Sequence, residues 1–250
     1  MKRANDKQIT LSLILPVFNA EKIIEKEIEI IHKEATSLFN KLFNENKIEL
    51  LIVENGSTDR TLILSYKLAK RFPYIRVIHL ENPSYGKALK TGLVLSQGDY
   101  VAIINIHFHN LYFVSQALDI FKKNDDLAVV VGSKNLKESQ DKRPWIRRLI
   151  TKIFNFVLYL VFKYKGSDTH GMKVLKRTTI TPVISLCITE GELFDTELLI
   201  LAQNNNLKIK ELPVSIERVS GRSILKRIPS TLKDLYKIYK NIKKCKNKKY

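Results

Sequence analysis

The sequence predicts an α/β fold: a mixed, mostly parallel sheet covered by helices on both faces. Three observations predict it. Apolar runs of strand length alternate with helical periodicities over the first 133 of 250 residues. The runs are apolar at successive positions, as strands buried on both faces are. Gly and Pro number 9 and 7, too few for a linker-rich or low-complexity chain. With 44% hydrophobic residues and no internal repeat, a single domain over 1–250 is expected.

The elements follow in order. LSLILPV (11–17) reads as a buried strand ending near a proline. Over 21–43, Ile24, Ile28, Ile31, Ala35, Leu38 and Leu42 recur at spacings of three and four, the stripe of one amphipathic helix. IELLIVE (48–54) is a second strand, and the helix of 57–72 is expected to take Ser57 or Thr58 as its N-cap. IRVIHL (75–80) is a third strand, followed by a helix over 86–97. YVAIINI (100–106), a helix over 111–123 and LAVVVGS (127–133) complete the alternation. Beyond Lys134 the pattern changes. A basic, aromatic helix spans 143–163, a short strand 172–177, a helix 191–206, and a strand 207–218 interrupted by Pro213. A second basic helix is expected within 226–244. In such sheets ligands bind at the carboxyl ends of the strands. Here those ends hold PVFNA, VENGSTD and NIHFHN.

The chain carries 43 Lys and Arg against 25 Asp and Glu, a net charge of +18. This excess calls for an anionic partner: nucleic acid, acidic lipid or a phosphorylated substrate. The basic residues are scattered among apolar ones without a nucleic-acid motif, so nucleic acid ranks last. Cys187 and Cys245 lie far apart, which fits a reducing compartment rather than a disulfide framework. The N-terminus has no apolar stretch of signal-peptide length, and no run reaches the ~18–20 apolar residues of a spanning helix.

Five stretches carry a family resemblance: LILPVFNAEKII, IELLIVENGSTDRT, NPSYGKALKTGL, GSDTHGMKVLKR and FDTELLILAQNNNLKIKELPVSIERVSGRS. In this order and spacing the chain resembles the inverting, family 2 glycosyltransferases of the GT-A fold, among them the dolichyl- or polyprenyl-phosphate mannose and glucose synthases. The resemblance implies transfer of a hexose from a UDP- or GDP-linked nucleotide-diphospho-sugar to a polyprenyl phosphate, by a cytoplasmic protein peripheral on the membrane. It implies that Pro16, Phe18 and Asn19 line the nucleotide pocket with Glu54 and Asn55, which stand where the family carries two aspartates. Lys87 either faces the diphosphate or is a solvated lysine. Asp168 and Arg218 would act near the acceptor, and Arg222 and Ser223 would grip a phosphate. Where the family shows D-x-x-x-G, this chain is one residue shorter between Asp168 and its glycine, Gly171, read as a tight turn; His170 is read as a turn residue. Asp195 and Glu197, in the F-D-x-E helix, would organise the site from behind. The helices of 143–163 and 226–244 would lie in an anionic membrane interface.

The departure is NIHFHN. Relatives hold a divalent metal there with Asp-x-Asp; this chain has Asn105 and His107, followed by His109. An extended backbone would put all three on one face. Such a set suits Mn²⁺ or Zn²⁺ better than Mg²⁺. Three readings stay open: a rebuilt metal site, metal-free transfer in which Lys, Arg or protonated His offsets the diphosphate charge, or a non-catalytic protein that binds nucleotide sugar, lipid or an active partner.

Overall fold

The computed structural model describes residues 10–44, 46–216 and 228–247. In chain order the elements are β1 (Leu11–Val17), α1 (Ile24–Leu38), α2 (Asn40–Asn44), β2 (Ile48–Asn55), α3 (Thr61–Arg71), β3 (Ile75–Leu80), α4 (Tyr85–Leu95), β4 (Tyr100–Ile103), α5 (Leu111–Lys123), β5 (Leu127–Ser133), β6 (Gln140–Asp141), α6 (Trp145–Phe162), β7 (Lys173–Lys176), α7 (Arg177–Leu186), α8 (Phe194–Asn204), β8 (Lys208–Pro213), β9 (Ser215–Ile216) and α9 (Ile228–Asn247). Seven strands form one sheet in the order β3-β2-β1-β4-β7-β5-β8; β6 and β9 pair separately. All neighbours are parallel except β7, which runs antiparallel between β4 and β5. Because β7 alone is reversed, the carboxyl ends of β1, β2, β4, β5 and β8 and the entry to β7 share one edge.

The period-2 alternation of each strand divides the core. Leu11, Leu13, Leu15 and Val17 of β1 join the layer containing α1 and α5, while Ile14 joins the layer of α4, α7 and α8. The predicted helix of 21–43 is two helices. Phe39, buried to 6%, takes the core position after Ala35, leaving Leu38 40% exposed and shifting the apolar stripe. Helix α7, with Pro182 inside it, has no counterpart in the sequence reading.

Helix α8 is buried all round from Phe194 to Ala202, so its polar residues must find partners. Glu197, fully buried, accepts from the N–H groups of Ile188 (3.0 Å) and Thr189 (2.7 Å), the Thr189 hydroxyl (2.6 Å) and Asn241 Nδ2 of α9 (3.0 Å). It latches α9 onto the core. Glu197→Gln leaves one carbonyl oxygen and sets an amide NH₂ against a donor. It is expected to cost about 1–3 kcal/mol, measured as a lower urea midpoint with unchanged m-value.

Helix α6 buries only Leu158 and Phe162. Trp145 (65% exposed) and Phe156 (60%) face outward, as does Tyr236 of α9. Among the described residues no helix is long and apolar enough to cross a membrane.

Candidate active site

The loops at the carboxyl ends of β1 and β2 are fastened to each other. Asn19 adopts a left-handed backbone (φ 48°) that turns the chain after β1. Its N–H donates to Ser57 Oγ (2.9 Å), and its Oδ1 accepts from Thr58 N–H (2.9 Å). Ser57 and Thr58 are therefore spent on this clasp and do not cap α3. Asp59 serves that helix, its Oδ1 accepting from Thr61 N–H at 2.9 Å. Glu54 is fully buried; one oxygen accepts from Ser57 N–H (2.6 Å) and the other lies 2.6 Å from His79 Nδ1. Asn55 Oδ1 accepts from Ser84 N–H at 2.7 Å and so fixes the start of α4. Gly86 allows α4 to abut the carbonyls of Glu190 and Gly191, where a Cβ would clash. Pro16, Phe18, Asn19, Glu54 and Asn55 thus gather at one edge, with Phe18 39% exposed. Lys87 is exposed on the first turn of α4.

NIHFHN does not stay extended. β4 ends at Ile103, and the chain turns, with Asn105 bridged to Phe108. Asn105 Oδ1 accepts from His107 N–H (2.9 Å), an Asx-type turn. His109 points back to α1, its Nε2 2.9 Å from Glu27 and its Nδ1 3.8 Å from Glu34. The expected one-face triplet of Asn105, His107 and His109 is therefore broken. What remains is one engaged amide oxygen and one exposed imidazole, a donor set that does not fit a hard divalent cation. Among the described residues, no three His, Cys, Asp or Glu side chains gather as a cation site.

Asp168 anchors a second cluster on the same edge. It is 2% exposed and pairs with Lys134 Nζ at 2.9 Å, directly after β5. Its Oδ1 accepts from His170 N–H (3.0 Å). Burial would raise its pKa, but the Lys134 ammonium and the N–H donors outweigh that and hold it below the usual carboxylate range. Glu211 of β8 shapes the loop by accepting from the N–H groups of Ser167 (2.7 Å) and Asp168 (3.2 Å). Gly171 works by close approach rather than by a left-handed turn: a Cβ there would overlap the Gly132 carbonyl oxygen. The cluster lines a cavity of about 550 Å³ together with Ile150, Phe154 and Val157 of α6 and Leu232 and Leu235 of α9. Lys134, Arg143, Arg147 and His170 also line it. Arg143 is held by both oxygens of Asp141, at 2.8 and 2.7 Å.

Lys134, Arg143, Arg147 and Glu211 are not among the residues predicted from sequence, and His170 was expected only as a turn residue. Lys134 had a legible signal, a cation directly after the apolar run LAVVVGS. Arg143 and Arg147 read as part of a basic helix face. Arg218, Arg222 and Ser223 lie outside the described residues.

Residues 12–181 match the model of Glycosyl transferase family 2. The chain is 27% identical to a dolichyl-phosphate beta-glucosyltransferase of Saccharomyces cerevisiae, over 96% of this chain and 80% of that protein. It is 26% identical to the dolichyl-phosphate beta-glucosyltransferase of Homo sapiens, over 86% and 69%. The solved glucosyl-3-phosphoglycerate synthase of Mycobacterium tuberculosis, in complex with Mn²⁺, UDP and glucosyl-3-phosphoglycerate, resembles it with a TM-score of 0.62 at 19% identity. That match covers 93% of this chain and 76% of the other. At that identity the likeness concerns the fold, the GT-A fold expected from the sequence.

Proposed function

We propose, because this chain belongs to glycosyl transferase family 2, that it transfers a hexose from a UDP- or GDP-linked sugar to a polyprenyl phosphate of the dolichyl type, with inversion, at the cytoplasmic face of a membrane. The observation that carries the acceptor assignment is the cavity: apolar side chains of α6 and α9 and the Lys134–Asp168 pair line one and the same space, as a phosphate on a hydrocarbon tail requires. The yeast and human relatives are named for dolichyl phosphate, which supports the same class.

In the reaction a phosphate oxygen of the acceptor forms a bond to the anomeric carbon. The bond from that carbon to the nucleotide diphosphate breaks, and its electron pair leaves with the diphosphate. A phosphate monoester has already lost its second proton near pH 7, with a pKa of about 6, so the site needs no strong general base. Lys134 and Arg143 orient the phosphate, Arg supplying paired donors. Asp168 fixes the direction of the Lys134 ammonium. The donor nucleotide lies over Phe18 and Asn19, with Lys87 beside the diphosphate; Glu54 and Asn55, both buried and bonded to Ser57, His79 and Ser84, shape the pocket from beneath. The turn after β4 leaves Asn105 and His107 as one amide oxygen and one exposed imidazole, and no step is assigned to a metal.

Transfer from UDP-[¹⁴C]glucose and GDP-[¹⁴C]mannose to geranyl phosphate tests the reading, in EDTA and then with Mn²⁺. Labelled prenyl-linked sugar from either donor supports it; binding of nucleotide sugar without product under any condition supports a non-catalytic role instead.

The exposed apolar face of α6 is interleaved with Arg148 and Lys152, and exposed lysines accompany Leu232 and Tyr236 on α9. That combination suits a bilayer surface rich in anionic headgroups. Each basic residue near such a surface contributes about 1 kcal/mol. Reversing two charges in Arg148→Glu/Lys152→Glu is expected to weaken sedimentation with phosphatidylserine vesicles by roughly tenfold or more. Equal binding to neutral and anionic vesicles would overturn the charge contribution.

A further inference from the structure

The catalytic reading leaves His170 without a task. Its ring lines the cavity beside Asp168, and its backbone N–H donates to that carboxylate, which fixes the main chain at this position. Nδ1 lies 3.0 Å from Thr169 Oγ1, which in turn lies 2.9 Å from Thr196 Oγ1 on α8. Phe154 of α6 flanks the ring, with centroids 5.9 Å apart. The hydroxyl pair occupies Nδ1 from behind. When Thr196 donates to Thr169 and Thr169 donates to Nδ1, the neutral imidazole carries its proton on Nε2. A phosphate offers only acceptors, and it selects that tautomer.

We infer that His170 is an acceptor-binding residue whose Nε2–H donates a hydrogen bond to a phosphate oxygen of the prenyl phosphate in the cavity. This rests on the assignment of the cavity to the acceptor and adds a recognition element to it. Crowding by protein lowers the pKa of the ring; Lys173 and Lys134 add to that effect, and Asp195 and Asp168 oppose it. With Thr169 Oγ1 on Nδ1, the ring presents Nε2–H as its free donor. A neutral donor suits this site, because each of the flanking cations Lys134 and Arg143 already has a carboxylate partner, Asp168 and Asp141. Selectivity for phosphate then depends on directed donors more than on net charge.

The test is calorimetric binding of geranyl phosphate to the full chain, comparing wild type with His170→Ala and His170→Gln, with steady-state kinetics and thermal unfolding on each. In His170→Ala the Kd and the acceptor KM are expected to rise roughly tenfold or more, as for loss of a hydrogen bond to a charged group. The value of kcat at saturating acceptor and the affinity for nucleotide sugar should change little. His170→Gln, whose amide NH₂ can still donate, should recover most of the binding. An unchanged Kd in His170→Ala, or a fall confined to kcat, overturns the inference and leaves the acceptor assignment standing. A wild type that binds no geranyl phosphate overturns both. Equal losses in the alanine and glutamine variants, with lowered unfolding temperatures, assign His170 to packing and also overturn it.

Discussion

Asp195→Ala is expected to destabilise the protein by about 3–5 kcal/mol, seen as a large fall in the urea midpoint. Asp195 Oδ1 lies 2.7 Å from Lys173 Nζ, and the two side chains are 3% and 1% exposed. The contact is ionic rather than an aligned hydrogen bond, since Oδ1 has no hydrogen-bond partner in the geometric sense. Lys173 Nζ also donates to the Gly171 carbonyl (2.8 Å), and Tyr85 donates its hydroxyl to Asp195 Oδ2 (3.0 Å). Burial first, and then the Asp195 charge, hold the Tyr85 phenol well above its ordinary pKa, so it stays a donor. Removing the carboxylate strands an ammonium in the core and takes away the acceptor of a partly buried phenol. Two elements lose their anchor together: β7, which begins at Lys173, and α4, which begins at Tyr85. The double variant Lys173→Met/Asp195→Leu removes both charges and should recover much of the loss, because a buried pair is costly to break but not to replace. A single variant as stable as wild type would show that water reaches Lys173.

The same pair marks where the sequence could be read and where it could not. β1, β2, β4 and β5 are visible as apolar runs because burial on both faces leaves few polar positions to blur them; β3 and β8 are partly exposed and carry Arg, His, Lys and Glu among their apolar residues. β7 is legible as a short strand, but its reversed direction is not, since KVLK carries no mark of orientation. Lys173 at its start looks like a surface residue until Asp195, more than twenty positions away, arrives to neutralise it. The clasp of Asn19 on Ser57 and Thr58 fails to read for the same reason: both partners are ordinary turn residues, and a capping role is the local default. A continued β4 would put His109 in a cation site. Asn105 instead ends the extended run by capturing the His107 N–H, and α1 supplies Glu27 and Glu34 to receive the second imidazole. Asp168 was legible because its segment carries the resemblance. Its partner Lys134 stands out only as a cation after the apolar run LAVVVGS; the pairing itself does not read, because an ion pair across thirty-four positions leaves no periodic signal.

Asp168→Asn is expected to lower kcat by roughly a hundredfold, the scale of a misplacement of about 1 Å at a reacting centre, while the acceptor KM stays level or falls. The two parameters should separate because Asp168 acts on Lys134 and not on the sugar. With the carboxylate present, Oδ2 receives both the Lys134 ammonium (2.9 Å) and the Lys134 N–H (3.2 Å), which fixes where the charge points. With an amide in its place the ammonium keeps its charge, has no carboxylate competing for it, and can bind phosphate at least as well. It no longer holds that phosphate in line with the anomeric carbon. A rise in KM with unchanged kcat would show that Asp168 contacts the acceptor only in binding. The substitution has a second readout in stability. The folded pKa of Asp168 is depressed, so the carboxylate stabilises the fold above the unfolded value of about 3.9, and that contribution is lost as pH falls through the lower folded value. The acid limb of the wild-type stability curve should therefore be steeper below about pH 4 than that of Asp168→Asn, which has no proton to take up at this position. Parallel acid limbs would mean that Asp168 titrates alike folded and unfolded, and the orienting pair with Lys134 would lose its electrostatic basis.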